Sequence, residues 1–144
     1  MDLRSERMLS TVRATQRSIA DLLNENRAKT EALSIALASI NPNSGRATVV
    51  ATDKNHTLVD AESIVFPSHV LLMLPLTPLS APIPASEFVL PQSFTQFADN
   101  HIVVAMIRDM QNEVMGVVLI FVSNSVLTAQ QHDYIDIMRQ KIEV

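Results

Sequence analysis

The sequence predicts an α+β domain, in which an antiparallel β-sheet packs an N-terminal and a C-terminal helix on one face. Residues 3–40 contain no proline or glycine, and their apolar residues recur at helical spacing. Further along, apolar runs alternate with short polar turns, which is the pattern of antiparallel hairpins. The last segment, residues 128–142, is again amphipathic. Two such helices bury their apolar stripes most readily against one face of a sheet.

The composition is that of a globular domain without an obvious nucleic-acid partner. The chain has 144 residues, 47% of them hydrophobic and 18% charged, with a net charge of -4. Nucleic-acid binders normally show a basic patch, and none is visible outside the N-terminal segment, where positive and negative charges are mixed. The chain has no cysteine, which excludes disulfides and cysteine-based metal sites. We therefore expect no metal, no cofactor and no direct contact with nucleic acid.

Membrane insertion is not predicted either. The longest apolar region is residues 70–91, and prolines interrupt it, whereas a membrane span needs about 20 consecutive apolar residues. The N-terminus is charged where a secretory signal would have its apolar core. We therefore expect a cytoplasmic protein.

Residues 1–40 are predicted to be an N-terminal helix of the same domain, and residues 41–144 the rest of it. The apolar residues follow a coiled-coil-like alternation of three and four, and "NPNSG" at 41–45 ends the helix. The first part of this seam lies beyond the expected reach of the sheet, which predicts a homodimer with the interface residues Leu9, Val12, Ile19 and Leu23. Alternatively, the helix packs only on its own domain.

The remaining elements follow in order along the chain. Residues 46–63 form two strand-like runs around a turn at "DKN", and "SHVLLMLPL" at 68–76 resembles a buried strand. A proline-rich irregular segment follows, with a short helix at "PQSFTQFAD". Strands at 101–107 and 114–122 then form a hairpin. In the last helix Thr128 is a cap, to which Gln131 can return a hydrogen bond, as in a capping box.

Candidate catalytic residues are few. Asp53, His56, Asp60 and Glu62 surround one predicted turn, where solvation of a turn and sheet edge is more common than metal binding. Gly45 and Gly116 lie too far apart to form a phosphate-binding loop. We therefore expect no enzymatic activity, and a small enzyme or metal protein built on His56 remains a minor alternative.

The C-terminal stretch "HIVVAMIRDMQNEVMGVVLIFVSNSVLTAQQHDYIDIMRQKI" resembles the C-terminal half of a GAF domain. The shared features are an apolar strand, a polar turn, a strand entered through Gly116, a helix start at Leu127–Thr128 and a terminal amphipathic helix. The resemblance implies a GAF/PAS-like fold. Some features of individual family members are absent: the chain has no Asn-Lys-x-Asp-Glu stretch and no cysteine for a bilin, and Gln131 replaces an acidic residue.

The resemblance also implies a sensory or regulatory module, usually dimeric through helices beside the sheet. Small ligands of the family lie between the sheet and the irregular segment, which here is 77–100. This implies a ligand site lined by Phe88, Phe94 and Phe97. The only charged residues of the segment are Glu87 and Asp99, which favours a neutral or cationic, partly apolar ligand controlling a signalling or transcriptional output.

Two alternatives to that site remain open. The three phenylalanines can simply fill the space between the sheet and the irregular segment. The chain would then be a ligand-free protein-interaction or scaffold subunit, whose N-terminal helix docks a partner.

Overall fold

The computed structural model describes residues 16–54, 56 and 62–143, with the side chains of the first helix described from Ile19 onward. A six-stranded antiparallel sheet has the order β3-β2-β1-β6-β5-β4. The elements in chain order are α1 (Gln16–Thr30), β1 (Ser34–Asn41), β2 (Arg46–Thr52), β3 (Ser63–Val65), α2 (Ser68–Met73), β4 (Ile83–Pro84), β5 (His101–Arg108), β6 (Val114–Val122) and α3 (Ala129–Glu143). In the described part of the chain, no helix is long and apolar enough to cross a membrane.

The sheet separates two apolar clusters, because alternate residues of a strand point to opposite faces. On the helical face, Leu23 of α1 and Ile135 and Met138 of α3 pack against alternate residues of β1, β5 and β6. The opposite face, here called the aromatic face, contains all five phenylalanines of the chain: Phe66, Phe88, Phe94, Phe97 and Phe121. The prediction of an α+β fold with both terminal helices on one face is confirmed.

The hairpin of β5 and β6 is confirmed with its turn. Its register shifts by one residue between Ile107 and Arg108, which pair with Gly116 and Val114 respectively. The Asp109 carboxylate accepts hydrogen bonds from the backbone N–H groups of Gln111 (2.9 Å) and Glu113 (3.0 Å). This local hydrogen bonding explains why the turn could be recognised from its polar residues.

The prediction of a helix as far as residue 40 is wrong. The helix α1 ends at Thr30, and residues 34–41 form β1 between β2 and β6. Glu31 takes the left-handed conformation (φ 57°), while the N–H of Ala32 bonds to the carbonyl of Arg27 at 3.0 Å. This is a Schellman ending, a position where glycine is the usual residue, so a glutamate gave no stop signal.

The prediction of a strand at 68–76 is also wrong. Residues 68–73 form the short helix α2, and a 3-10 turn continues it over Leu74–Leu76. Only Val70 and Leu74 are buried there, whereas Leu72 and Leu76 are largely exposed. Short apolar runs fit either a strand or a helix by pattern alone. The predicted short helix at "PQSFTQFAD" is confirmed as a 3-10 helix, Gln92–Phe97.

The capping box at the start of α3 is confirmed. The N–H of Gln131 donates to Thr128 Oγ1 (3.1 Å), and the N–H of Thr128 donates to Gln131 Oε1 (3.0 Å). Gln131 Nε2 also donates to the carbonyl of Thr30 at 2.8 Å. One glutamine thus caps α3 and satisfies an end carbonyl of α1, which a carboxylate could not do because it has no hydrogen to donate.

Replacing Gln131 by glutamate is expected to lower the free energy of unfolding by about 1 kcal/mol at neutral pH, since the bond to Thr30 is lost while the capping bonds remain. Gln130→Glu, the same change at an exposed neighbour, is the control and should be nearly neutral. Urea unfolding measures both. The loss should shrink at acid pH, where a protonated carboxyl can donate again; equal behaviour of the two variants would contradict the role of this bond.

Candidate functional site

The aromatic face is built from packed aromatic rings. Phe94 is fully buried, and its ring stacks with that of His56, at 4.1 Å between centroids, and with that of Phe121, at 5.3 Å. Phe97 packs on Phe121 at 4.8 Å. The 3-10 helix Gln92–Phe97 brings both residues to the sheet because positions i and i+3 lie on one side of such a helix.

The structure therefore brings two of the three predicted ligand residues together. Phe94 and Phe97 have centroids 6.3 Å apart, whereas Phe88 makes an edge contact with Phe66 (5.1 Å, 87°) elsewhere in the same cluster. All three side chains are buried against other side chains of the face. A ligand-binding role for them remains a prediction.

His56 is attached to this cluster through hydrogen bonds that join it to Ser93 and Ser93 to Glu62, together called the clasp. Its Nε2 lies 3.2 Å from Ser93 Oγ, and Ser93 Oγ donates in turn to Glu62 Oε2. A hydroxyl has one hydrogen, so His56 must supply the hydrogen of its own bond to Ser93. Burial lowers the pKa of His56 below its usual value, and the carboxylates of Asp53 and Glu62 oppose that shift only in part.

This clasp differs from a nucleophile with its base. A histidine that activates a serine accepts the hydroxyl hydrogen, whereas here that hydrogen goes to Glu62 and the imidazole donates. The clasp holds the ring of His56 flat against Phe94. Over residues 16–54, 56 and 62–143, no three His, Asp or Glu side chains are grouped so that they could hold a metal ion.

A second polar network joins the helix α1 to the sheet. The Asp53 carboxylate, 1% exposed, accepts hydrogen bonds from Ser34 Oγ (2.6 Å) and the N–H of Ile35 (3.0 Å). Its other oxygen lies 3.2 Å from Arg27 Nε, near the end of α1. The carbonyl of Asp53 accepts the N–H of His56 at 3.2 Å. One residue therefore contacts α1, β1 and the loop that leads to the aromatic face.

The predicted dimer residues lie partly within this domain. Leu23 is fully buried in the cluster of the helical face, and Ile19 packs at the edge of that cluster. Leu9 and Val12 lie outside the described residues. The described part of α1 thus packs on the sheet of its own domain. Pairing with a second chain remains a prediction for the seam that includes Leu9 and Val12.

An open groove of about 790 Å³ lies at the end of the sheet, between the β1–β2 turn, the β5–β6 turn and α2. We call it the end groove; its defining residues are Ile40, Arg46, Leu71, Leu74, Arg108 and Val114. A smaller polar cavity of about 370 Å³ lies where α1 ends and α3 begins. The end groove has the size range of small-molecule sites and combines apolar with charged groups.

The walls of the end groove are held by specific contacts. Gly45 in the β1–β2 turn has φ +73°, and an added Cβ would lie 2.9 Å from Leu71 Cδ1. The N–H of Phe66 donates to the carbonyl of Gly45 at 2.8 Å. On the opposite wall, Arg108 reaches the carbonyl of Pro75 and Asn112 Oδ1, both at 3.3 Å. Both turns are thereby fixed relative to the segment containing α2.

Sequence reasoning missed the Asp53 network and the end groove. Both join residues from separate elements: Asp53 contacts Arg27 and Ser34, and Arg46 and Arg108 line one groove at the end of the sheet. The one available signal was Asp53 itself, an acidic residue directly after an apolar strand run. Its partners could not be inferred while residues 34–40 were assigned to a helix.

Comparison with solved structures identifies the fold. The chain matches the phycocyanobilin-bound GAF domain from a cyanobacterial phytochrome with a TM-score of 0.61 and 14% identity, over 99% of this chain and 93% of that one. The chain has the GAF fold. The GAF domain of an Acinetobacter phosphoenolpyruvate-protein phosphotransferase matches with a TM-score of 0.62 and 10% identity, over 99% and 92% of the two chains.

Another solved structure matches less completely. An IcIR transcriptional regulator from Alicyclobacillus acidocaldarius matches with a TM-score of 0.58 and 9% identity, over 87% of this chain and 65% of that one. No family model and no curated protein sequence matches the chain. At such low identities the likeness establishes the GAF fold, as the C-terminal motifs implied, and leaves ligand and output to be inferred from the residues.

Proposed function

We propose that this GAF-fold chain is a non-catalytic regulatory domain. It dimerises through its N-terminal helix and binds a small molecule, and occupancy of that site controls a signalling or transcriptional output. The observation that supports this most directly is the network of Asp53, which links Arg27 of α1 to the loop holding His56 against Phe94. A regulatory domain needs such a connection between the face that binds and the helix that transmits.

The dimeric part of the proposal rests on α1. The side of α1 that carries the buried residue Leu23 already packs on the sheet. The apolar seam nevertheless begins earlier in the sequence, at Leu9 and Val12. An apolar seam that extends beyond its own sheet is stabilised by a partner helix.

The test compares charged substitutions on and off the seam in the full chain. Wild type is expected to be a dimer at tens of micromolar by light scattering. Leu9→Arg with Val12→Arg should give a folded monomer, because paired guanidinium groups would face each other across the seam. Ser10→Arg with Thr11→Arg, in the same segment, is the control and should remain dimeric. A monomeric wild type would contradict dimerisation.

The filled aromatic face favours a second candidate function. Because Phe94 stacks with His56 and Phe121 and is fully buried, the rings alone account for the space that a ligand would occupy there. The chain would then be a ligand-free scaffold whose N-terminal helix docks a partner. A thermal-shift screen against neutral and cationic metabolites distinguishes the two: stabilisation of wild type supports a ligand at this face, and no shift favours the scaffold.

A further inference from the structure

We infer that the end groove binds a small organic monoanion with an apolar body. This inference goes beyond the proposed function, since it assigns a second site, apart from the aromatic face, and the class of ligand that this site binds. The site is separate from the phenylalanines, and it draws on segments other than 77–100, from which the expectation of a neutral or cationic ligand arose.

The apolar part of the ligand has a suitable floor. Ile40, Leu71, Leu74 and Val114 all line the groove. Ile40 and Leu74 belong to the apolar cluster of the aromatic face, with Leu71 and Val114 packed against it. Small-molecule sites are commonly apolar pockets of about 300–1,000 Å³ with few polar groups, and this groove measures about 790 Å³.

The anionic group of the ligand would find a cationic side chain in the groove. The groove is lined by two guanidinium groups, those of Arg46 and Arg108, and by the carboxylate of Glu113, a balance of one positive charge. Arg108 already bonds to Pro75 and Asn112. Arg46 has an exposed side chain, and no described carboxylate lies within ion-pair distance of it. A guanidinium binds a carboxylate or phosphate through paired hydrogen bonds.

The groove also touches the strand that leads to α1. Ile40 and Asn41, at the end of β1, line the groove, and Ser34, at the start of the same strand, bonds to Asp53. A ligand that holds the end of β1 therefore acts on the strand whose beginning is joined to Arg27 through Asp53.

The experiment titrates an isotopically labelled full chain with octanoate, phenylacetate and naphthoate, and with the primary amide of each. Inorganic phosphate tests charge alone. Backbone resonances of Asn43, Ser44 and Asn112 report on the groove, and those of the 3-10 helix Gln92–Phe97 report on the aromatic face. We expect at least one acid to shift the groove resonances, with its amide binding about tenfold more weakly.

Arg46→Gln should weaken binding of that acid about tenfold and leave the melting temperature unchanged. Lys141→Gln, which removes an exposed cation of α3, is the matched control and should bind as wild type does. The inference is overturned if no acid shifts the groove, if acid and amide bind equally, if Arg46→Gln binds normally, or if phosphate alone binds as well as the acids.

Failure here and failure of the proposed function are distinguishable. Shifts at the 3-10 helix without shifts in the groove would remove this site and keep a ligand-binding domain. Normal acid binding by a chain that is monomeric in light scattering would keep the groove and remove the dimer.

Discussion

Replacing Phe94 by alanine is expected to lower the free energy of unfolding by about 3–5 kcal/mol, the usual cost of removing a buried aromatic ring. The ring is fully buried and stacks with the rings of His56 and Phe121. Its removal loses the free energy gained by transferring the ring out of water, and it also loses the contacts with the two neighbouring rings. Neither neighbour can close the gap freely, since His56 is clasped by Ser93 and Phe121 belongs to β6.

Urea unfolding followed by circular dichroism measures this loss. Phe94→Leu keeps most of the volume and should lose about 1–2 kcal/mol, which preserves the test if the alanine variant does not fold. Val89→Ala, at an apolar residue that is 66% exposed, is the control and should change the free energy of unfolding by less than about 0.5 kcal/mol. A loss for Phe94→Ala no larger than that of the control would mean that the stack does not support the fold.

The same variant distinguishes a filled face from a ligand site. An apolar cavity left by a deleted ring can accept a small aromatic molecule. Benzene should therefore raise the melting temperature of Phe94→Ala more than that of wild type if Phe94 is a space-filling residue. A compound that stabilises wild type and loses its effect in Phe94→Ala would instead support the predicted ligand role of Phe94.

The parts of the fold that were predicted correctly have local signals. The β5–β6 hairpin has a polar turn between two apolar runs, and α3 begins with a capping box whose two hydrogen bonds both form. The end of α1 has no such signal. Residues 34–40 are all buried, because the cluster of the helical face covers one side of β1 and the cluster of the aromatic face covers the other. A strand buried on both faces matched the helical spacing too.

The same distinction holds for the candidate sites. Phe94 and Phe97 could be placed on one side of a short helix because they lie three residues apart, and the resemblance to GAF domains implied that this segment covers the sheet. Arg27, Ser34 and Asp53 come from α1, β1 and the loop after β2, and Arg46 and Arg108 from two strands that are not neighbours in the sheet. Pattern along a chain does not reveal groups of polar residues such as these, since their proximity depends on the register of the assembled sheet.

Replacing Asp53 by alanine should lower the free energy of unfolding by about 3 kcal/mol, since removing one partner of a buried ion pair leaves the others unsatisfied. Ser34 Oγ and the N–H of Ile35 lose their acceptor where water does not reach, as Ser34 is 1% exposed and Ile35 is fully buried. The Arg27 side chain, 24% exposed, can recover part of its hydration. The expected loss of unfolding free energy is therefore at the lower end of the range for breaking a buried ion pair.

Asp53→Asn separates the charge from the shape. It keeps an oxygen for Ser34 and Ile35 and loses the pair with Arg27, so a smaller loss of about 1 kcal/mol is expected. Asp99→Ala, at an exposed carboxylate, is the control and should be nearly neutral in urea unfolding. If Asp53→Ala lost as little unfolding free energy as Asp99→Ala, the structural role of the network would be contradicted.

Hydrogen exchange tests whether Asp53 also connects α1 with the sheet. If it does, Asp53→Ala should speed amide exchange in the last turn of α1 and at the start of β1, beyond the general rise that the lost stability causes. Phe94→Leu supplies the comparison, because it destabilises the aromatic face without touching Arg27. If exchange at α1 rises in both variants only in proportion to the unfolding free energy each has lost, Asp53 stabilises the fold without linking the helix to the sheet. A selective effect of Asp53→Ala at α1 would identify the residue through which a ligand on the sheet can act on the N-terminal helix.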